Sequence, residues 1–376
     1  MSWVNKHKLP AIKAIKHNNQ LYLTIDNLWN TLHSTFNTAL HCWVDINILD
    51  EIVDKSSSSW TLFSKEEFKS AITNCNNSST PGLDKLSWSH LKIILKDDVC
   101  LSNLISIANT YIDLGYWPSH FKRSTTVIIP KPNKQLYDSS KSFRPIVLLN
   151  TVGKLIEKVI GKRLQFLTAL NNFIYSSQLE SLKFKSMTDI GMALTHIIHS
   201  NWVKNLSSST LVFNIAQFFP SLNHCILILI LKKAGFDNYV VNFFANYLIS
   251  RKTNYFWNNF TSPLSDINVR VGQGSTLSPI LLALYLSPFL YILEKCLKNL
   301  KIPISIISFI DNGLFISQSK SLHISNCRLF CSYNVMTNLL KKFGLIVEHS
   351  KTEVYRSQGS FNLPPLDLLS IRGTVL

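Results

Sequence analysis

Four groupings of residues in this chain could do chemistry. Between Pro118 and Gln165 stand ten basic residues (122, 123, 131, 134, 141, 144, 154, 158, 162 and 163) against two acids, Asp138 and Glu157, a net of +8. Phe121, Tyr137 and Phe143 are interleaved. Mixed basic and aromatic residues suit phosphates and bases, although the same charges also make an ordinary solvated face. Asp311, Asn312 and Gly313 stand between the apolar runs SFI and LFIS. Asp-Asn-Gly is a favourable hairpin turn, because Asn and Gly tolerate positive φ, so the tip presents a carboxylate and an amide. Gly272, Gln273 and Gly274 form a glycine-lined turn before a helix that Ser278 and Pro279 start well. His323, Cys327 and Cys331 recur at i, i+4 and i+8, a soft-ligand stripe without a fourth member. One face of an ordinary helix explains it equally well. Seven cysteines with no CxxC pair argue against a disulfide framework and for a reducing compartment.

Positioning such groups takes a folded scaffold, and the composition supplies one. Of the 376 residues 46% are hydrophobic, which excludes general disorder and suggests about two domains. The net charge of +16 points to a polyanion, nucleic acid first and an anionic membrane surface second. The first twenty residues carry scattered lysines and no apolar core segment, so no secretory signal is expected. Residues 1–60 read as helix and loop, closing in the serine run Ser56–Ser59, a linker. A helix follows with Ser64, Glu66 and Glu67 near its start, then a turn cluster over 76–84. Asp84 is placed to cap the next helix, LSWSHLKIIL. Residues 124–130 read as a strand and 151–170 as a helix. Strands recur at 210–215 and 304–310, the second followed by LFIS. Leu277–Leu293, interrupted by Pro279 and Pro288, falls short of the roughly 20 apolar residues of a spanning helix and reads as buried. The order is α+β without a regular βαβ repeat.

Five segments then fall into a meaningful order. They are STPGLDKLSWSHLK, VIIPKPNK with SFRPIVLLNTVGKLIEKVIGKRL, LVFNIAQFFPSLNH, GQGSTLSPILLALYLSPFL, and SFIDNGLFIS trailed by FGLIVEHSKTEV. From about residue 60 to about residue 356 the series resembles the reverse transcriptase domain of non-LTR (LINE-type) retrotransposons. The resemblance implies a right-hand polymerase fold with fingers and palm. It implies RNA-directed DNA synthesis, with RNA template, DNA primer and dNTP as partners. It also implies two Mg2+ ions between palm carboxylates, since phosphoryl transfer needs metals at the primer hydroxyl and at the leaving oxygen.

The family's metal positions are only partly kept. Asn214 stands where the family ends its first catalytic strand in Asp, and Asn312 where the hairpin tip has its second Asp; Asp311 alone remains a carboxylate. A unit charge near 4 Å is worth roughly 4 kcal/mol at an effective dielectric of 20. The expectation is therefore a catalytically silent copy; the alternative is a non-catalytic nucleic-acid-binding remnant using the same basic cleft. By the same resemblance Lys131 and Arg144 hold the incoming triphosphate, and Phe219 lies under the nucleotide sugar. Gln273 and Gly274 approach the template base and the nucleotide, and Lys351 lies near the leaving pyrophosphate. Pro220 offers no carboxylate where many relatives have one. Relatives carry glycine near the places of Glu180 and Ser181, so if those backbones need positive φ the replacements strain the fingers. The expected organisation is a connecting segment over 1–60, fingers and palm over 61–360, and a tail over 361–376 that stops before the thumb, as in a piece of a longer polyprotein. A membrane-surface role is the weakest reading, and an intracellular location, nuclear or cytoplasmic, is expected. Oligomeric state cannot be read from these residues.

Overall fold

The computed structural model describes residues 15–17, 20–37, 43–57, 59–132, 136–179, 186–257, 259–267, 272 and 274–357. The chain opens with a hairpin of β1 (Ile15–His17) and β2 (Gln20–Tyr22), then α1 (Ile25–Asn37). Three helices follow, α2 (Lys65–Thr73), α3 (Trp88–Ile94) and α4 (Asp98–Asp113). Next come β3 (Arg123–Pro130), β4 (Phe143–Leu148), α5 (Thr151–Leu170), α6 (Met187–Val203) and β5 (Ser207–Asn214). The short α7 (Phe218–Ser221), α8 (His224–Lys233) and α9 (Asn238–Tyr247) lead to β6 (Lys252–Trp257), β7 (Phe260–Thr261) and β8 (Ser265–Asp266). The described chain closes with α10 (Ser278–Asn299), β9 (Ile304–Phe309), β10 (Asn312–Ser319), α11 (Leu322–Lys342) and β11 (Glu353–Ser357).

Two larger sheets carry the architecture. The five-stranded one runs β4-β3-β6-β7, with β8 also on β6. Its β3–β6 pair is parallel and its β3–β4 pair antiparallel, with Arg144 opposite Ile129. Thr, Val and Ile make β3 a good strand, and Pro130 and Pro132 end it. α1 covers part of this sheet: Ile15, Leu28 and Leu32 are buried with Ile128, Phe143, Tyr255 and Trp257. Trp29 stacks over Trp257 at 6.4 Å and meets Tyr255 edge-on at 5.1 Å. The four-stranded sheet runs β11-β5-β10-β9, antiparallel throughout. Phe213 and Phe315 meet on its inner face, ring centroids 5.0 Å apart.

The main core joins this sheet to the helices. α10 lies at its centre, with Leu281, Leu282, Leu284, Tyr285 and Phe289 all fully buried. Each such side chain contributes about 1.5–3 kcal/mol by leaving water. At 22 residues α10 is long and apolar enough to cross a membrane by length and composition, which corrects the expectation from Leu277–Leu293. Pro288 lies inside the helix without ending it. Yet 78% of its apolar window is buried inside the fold, so the buried-helix reading stands.

Two local expectations are corrected. Asp84 does not cap α3; Ser87 does, through a reciprocal pair in which Ser87 Oγ accepts from the His90 N–H and His90 Nδ1 accepts from the Ser87 N–H. Asp84 instead reaches α5, where Oδ2 accepts from the Thr151 N–H at 2.6 Å. Its turn is held there as well: a Cβ on Gly82 would lie 2.3 Å from the Leu149 carbonyl oxygen. The second correction concerns the hairpin tip. Phe309 pairs with Asn312, so the two-residue turn is Ile310–Asp311, and positive φ falls on Ile310 (54°), not on Asn312 or Gly313. Gly313 lies within β10 and is needed for space, since a Cβ would sit 2.1 Å from Phe213 Cζ.

Candidate active site

The β5 and β10 ladder ends with Asn214 opposite Asn312. Asp311 sits one residue before, in the β9–β10 turn, and its carbonyl accepts from the Ile215 N–H at 2.7 Å. Lys351 ends the short helical turn (His349–Lys351) before β11, the strand on the other flank of β5. The sheet thus gathers four residues from three distant stretches of sequence.

Asn214, Asp311 and Asn312 close a hydrogen-bonded ring of side chains, into which Lys351 donates. Lys351 Nζ donates to Asn214 Oδ1 at 3.1 Å. Asn214 Nδ2 donates to Asp311 Oδ2 at 2.9 Å and to Asn312 Oδ1 at 3.1 Å. Asn312 Nδ2 donates to Asp311 Oδ1 at 3.0 Å. A lysine ammonium has donors only, so it fixes the Asn214 amide with oxygen toward Lys351 and N–H toward Asp311. That orientation fixes Asn312 in turn. Both carboxylate oxygens of Asp311 are engaged by amide N–H groups, and its single negative charge is balanced through Asn214 by the ammonium.

Such a donor set does not fit a pair of divalent ions. Mg2+ takes hard oxygen ligands whose charge offsets its own. Here one carboxylate is present, two amides turn N–H groups into the site, and an ammonium stands behind them. Even discounted for solvent at a half-buried tip, two missing charges remove several kcal/mol of ion binding.

The other expected residues are distributed over the neighbouring elements. Lys131 follows β3, its N–H donating to the Ser142 carbonyl at 2.8 Å, and Arg144 is exposed on β4; the two share the β3–β4 hairpin. Phe219 lies in α7, reached from Asn214 through Gln217 in the left-handed region (φ 45°). It is half-buried and packs on the core, while Phe218 is fully buried. Gly274, at φ 132°, presses on β4: a Cβ there would lie 2.4 Å from the Val147 carbonyl oxygen. Gln273, Glu180 and Ser181 lie outside the described residues.

Much of the basic run faces inward. Arg163 is buried against Glu67, with its guanidinium over the Phe63 ring at 4.4 Å. Lys122 is buried and donates to Asn246 Oδ1 at 3.0 Å. Burial, then the nearby Arg251, pushes its pKa down. Lys158 reaches the Cys75 sulfur at 3.1 Å. Arg123 and Arg144 are exposed and Lys131 is half-buried; Arg123 begins β3 opposite Lys252, at the end away from the β3–β4 turn. On α11 the His323 Nε2 and Cys327 Sγ atoms are 3.6 Å apart, and no metal-competent trio of His, Cys, Asp or Glu occurs among the described residues.

One buried group escaped the sequence reading. Glu157, on α5, accepts from Tyr247 Oη at 2.8 Å, from Ser275 Oγ at 2.7 Å and from the Thr276 N–H at 3.3 Å. Its signal was available: it is the one acid in a basic helix. Tyr247 is pushed well above its ordinary pKa, first by burial and then by the Glu157 charge. Burial lowers Lys154, one turn earlier, and the charges of Glu157 and Asp84 partly restore it.

The chain is similar to known proteins. The family described as reverse transcriptase (RNA-dependent DNA polymerase) matches residues 129–363. The RNA-directed DNA polymerase from mobile element jockey of Drosophila melanogaster is 33% identical over 99 residues, 26% of this chain and 10% of that protein. The probable RNA-directed DNA polymerase from transposon BS, also of Drosophila melanogaster, is 26% identical over 221 residues, covering 58% of this chain and 24% of its own length. A 149 kDa protein of transposon TX1 from Xenopus laevis is 25% identical, covering 62% and 18%. These stretches are a quarter or less of each relative's length. Among solved structures, apo telomerase of Candida tropicalis truncated from its C-terminal domain superposes with a TM-score of 0.47 at 14% identity, over 80% of this chain and 63% of that one.

Proposed function

The chain belongs to the reverse transcriptase (RNA-dependent DNA polymerase) family, and on that premise we propose that it is the fingers and palm of a non-LTR retrotransposon polymerase whose transfer centre is silent. The family uses divalent metal ions, nucleic-acid template and nucleotide. In this chain the β3–β4 hairpin, with Lys131 and Arg144, holds the triphosphate of an incoming dNTP. A planar arginine fork suits phosphate oxygens and a lysine adds a mobile charge. Phe219 supports the sugar, and the turn around Gly274 faces the paired RNA template and DNA primer. Asp311, Asn214, Asn312 and Lys351 occupy the place of the metal centre without holding Mg2+. Replication of a retroelement proceeds inside the cell, in the cytoplasm or nucleus.

The observation that carries the silent reading is the ring from Lys351 through Asn214 to Asp311 and Asn312. Several kcal/mol of lost ion binding is on the order of a thousandfold or more in rate. Primer extension on an RNA template with Mg2+ tests it, beside the double variant Asn214→Asp with Asn312→Asp. The expected result is extension by the variant only, together with an Mg2+-dependent rise in melting temperature that the parent chain lacks. Equal extension by both proteins would show that the amides support transfer.

A further inference from the structure

Gly272 and residues 274–276 are held from two sides. On one side they lean on β4, where Val147 leaves no room for a Cβ on Gly274 and little for one on Gly272 (3.0 Å to Val147 Cγ2). On the other side α5 and α9 grip them through one carboxylate. Glu157 Oε2 takes the Ser275 hydroxyl and the Thr276 N–H, while Oε1 takes the Tyr247 hydroxyl, which itself lies 3.0 Å from Ser275 Oγ. Ser275 Oγ also accepts from the Leu277 N–H at 3.1 Å, and Ser278 Oγ closes the turn on the Gly272 carbonyl at 2.8 Å. Glu157, Tyr247 and Ser275 are all buried. A buried carboxylate is costly unless its oxygens are satisfied, and here the partners that satisfy it belong to the turn and to α9.

We infer that Glu157 is a positioning residue: its carboxylate sets the height and tilt of residues 274–276 over the primer–template, so that this turn meets nucleic acid preformed. The inference rests on the reading of that turn as a nucleic-acid contact. A turn already fixed loses little entropy on binding; a loose one must be ordered at the expense of affinity. The charge of Glu157 is secondary to its acceptors. A glutamine can accept from Ser275 and Thr276 with its oxygen and donate to the Tyr247 oxygen with its amide. An alanine can do neither.

Two readouts on the full chain separate the clamp from the nucleic-acid reading. The first is hydrogen exchange of the free protein at residues 274–278. The second is the dissociation constant for an RNA template annealed to a DNA primer, by fluorescence anisotropy. Ser275→Ala cuts the link at the turn and leaves the helices alone; Glu157→Ala cuts it at its root; Glu157→Gln is the conservative control. The expected result for both alanine variants is exchange at 274–278 faster by about tenfold, with α5 and α9 unchanged, and a dissociation constant about tenfold higher, the worth of one net hydrogen bond. Glu157→Gln keeps both near the parent. If Glu157→Ala fails to fold, Ser275→Ala alone decides. Unchanged exchange in Ser275→Ala overturns the clamp. Faster exchange with an unchanged dissociation constant leaves the clamp standing but overturns the turn as a nucleic-acid contact, and with it the positioning role. Exchange raised equally across α5 and α9 marks a merely structural carboxylate and overturns the assignment.

Discussion

Single residues decide more here by what they face than by what they are. Lys351 has no acceptor, so it orients Asn214, and Asn214 orients Asn312; one ammonium sets the hydrogen bonding of the whole β10 tip. Three buried serines have no such order imposed on them. Ser209 pairs across the ladder with Ser317, and neither hydroxyl finds a partner; nor does Ser325 on α11. A buried hydroxyl without a partner costs about 1–3 kcal/mol, whereas a methyl in its place costs nothing of the kind. Ser317→Ala is therefore expected to hold or raise the urea midpoint, by up to about 1 kcal/mol of stability. Ser64→Ala is the contrast: it removes a helix cap satisfied in both directions with Glu67 and is expected to lose about 1 kcal/mol. A loss of more than 1 kcal/mol in Ser317→Ala would mean that the hydroxyl is bonded in solution.

Elements were the scale at which the sequence spoke most clearly, because strands and helices write their own periodicity. β3, α5, β5 and β9 fall within a few residues of the expected spans, and the Ser64 start of α2 is where its capping pattern put it. What periodicity misses is any partner chosen by the fold. Asp84 looks like a local cap for α3, but its true partner, Thr151, is 67 residues away. Glu157 looks like one more helix-surface acid, but Tyr247 and Ser275 lie 90 and 118 residues on. The Asp-Asn-Gly turn was expected one step too late. The register of β9 against β10 assigns the turn to Ile310–Asp311 and leaves a β-branched residue at positive φ. At the active end, the amides at 214 and 312 were visible in the sequence, but the ring they make with Lys351 was not. Asp84→Ala tests the long-range cap. It strips the first turn of α5 of a charged acceptor and is expected to lower stability by about 2 kcal/mol, read as a urea midpoint. An unmoved midpoint would show that solvent replaces Asp84 at no cost.

For the whole molecule, the core's own tyrosines set an alkaline limit. Tyr175, Tyr247 and Tyr255 are buried, and burial pushes each hydroxyl well above its ordinary value. The unfolded chain therefore releases these protons first. Stability is whole below about pH 10 and falls as pH rises past it, by up to ~1.4 kcal/mol per pH unit for each hydroxyl. Lys122 and Lys154 act in the opposite sense, because burial lowers them and the folded chain gives up their protons first. Their effect is to raise stability with pH until the unfolded lysine value, about 10.5, is passed. The expected profile is a urea midpoint that holds or rises toward pH 10 and then drops steeply, with Tyr247→Phe dropping by about one proton's slope less. A Tyr247→Phe profile as steep as the parent's would remove that residue from the cause. The same long-range construction also has a cost in time. β5 lies between β10 and β11, and Asn214 meets Asp311 97 residues later and Lys351 137 residues later. At ~5–20 residues per second, about 7 to 27 s separate the synthesis of β5 from the arrival of its last neighbour. Until β10 arrives both edges of β5 stand open on the ribosome, and the β11 edge stays open for the whole interval, so the yield of folded chain in a cell depends on how well nascent-chain chaperones keep those edges apart.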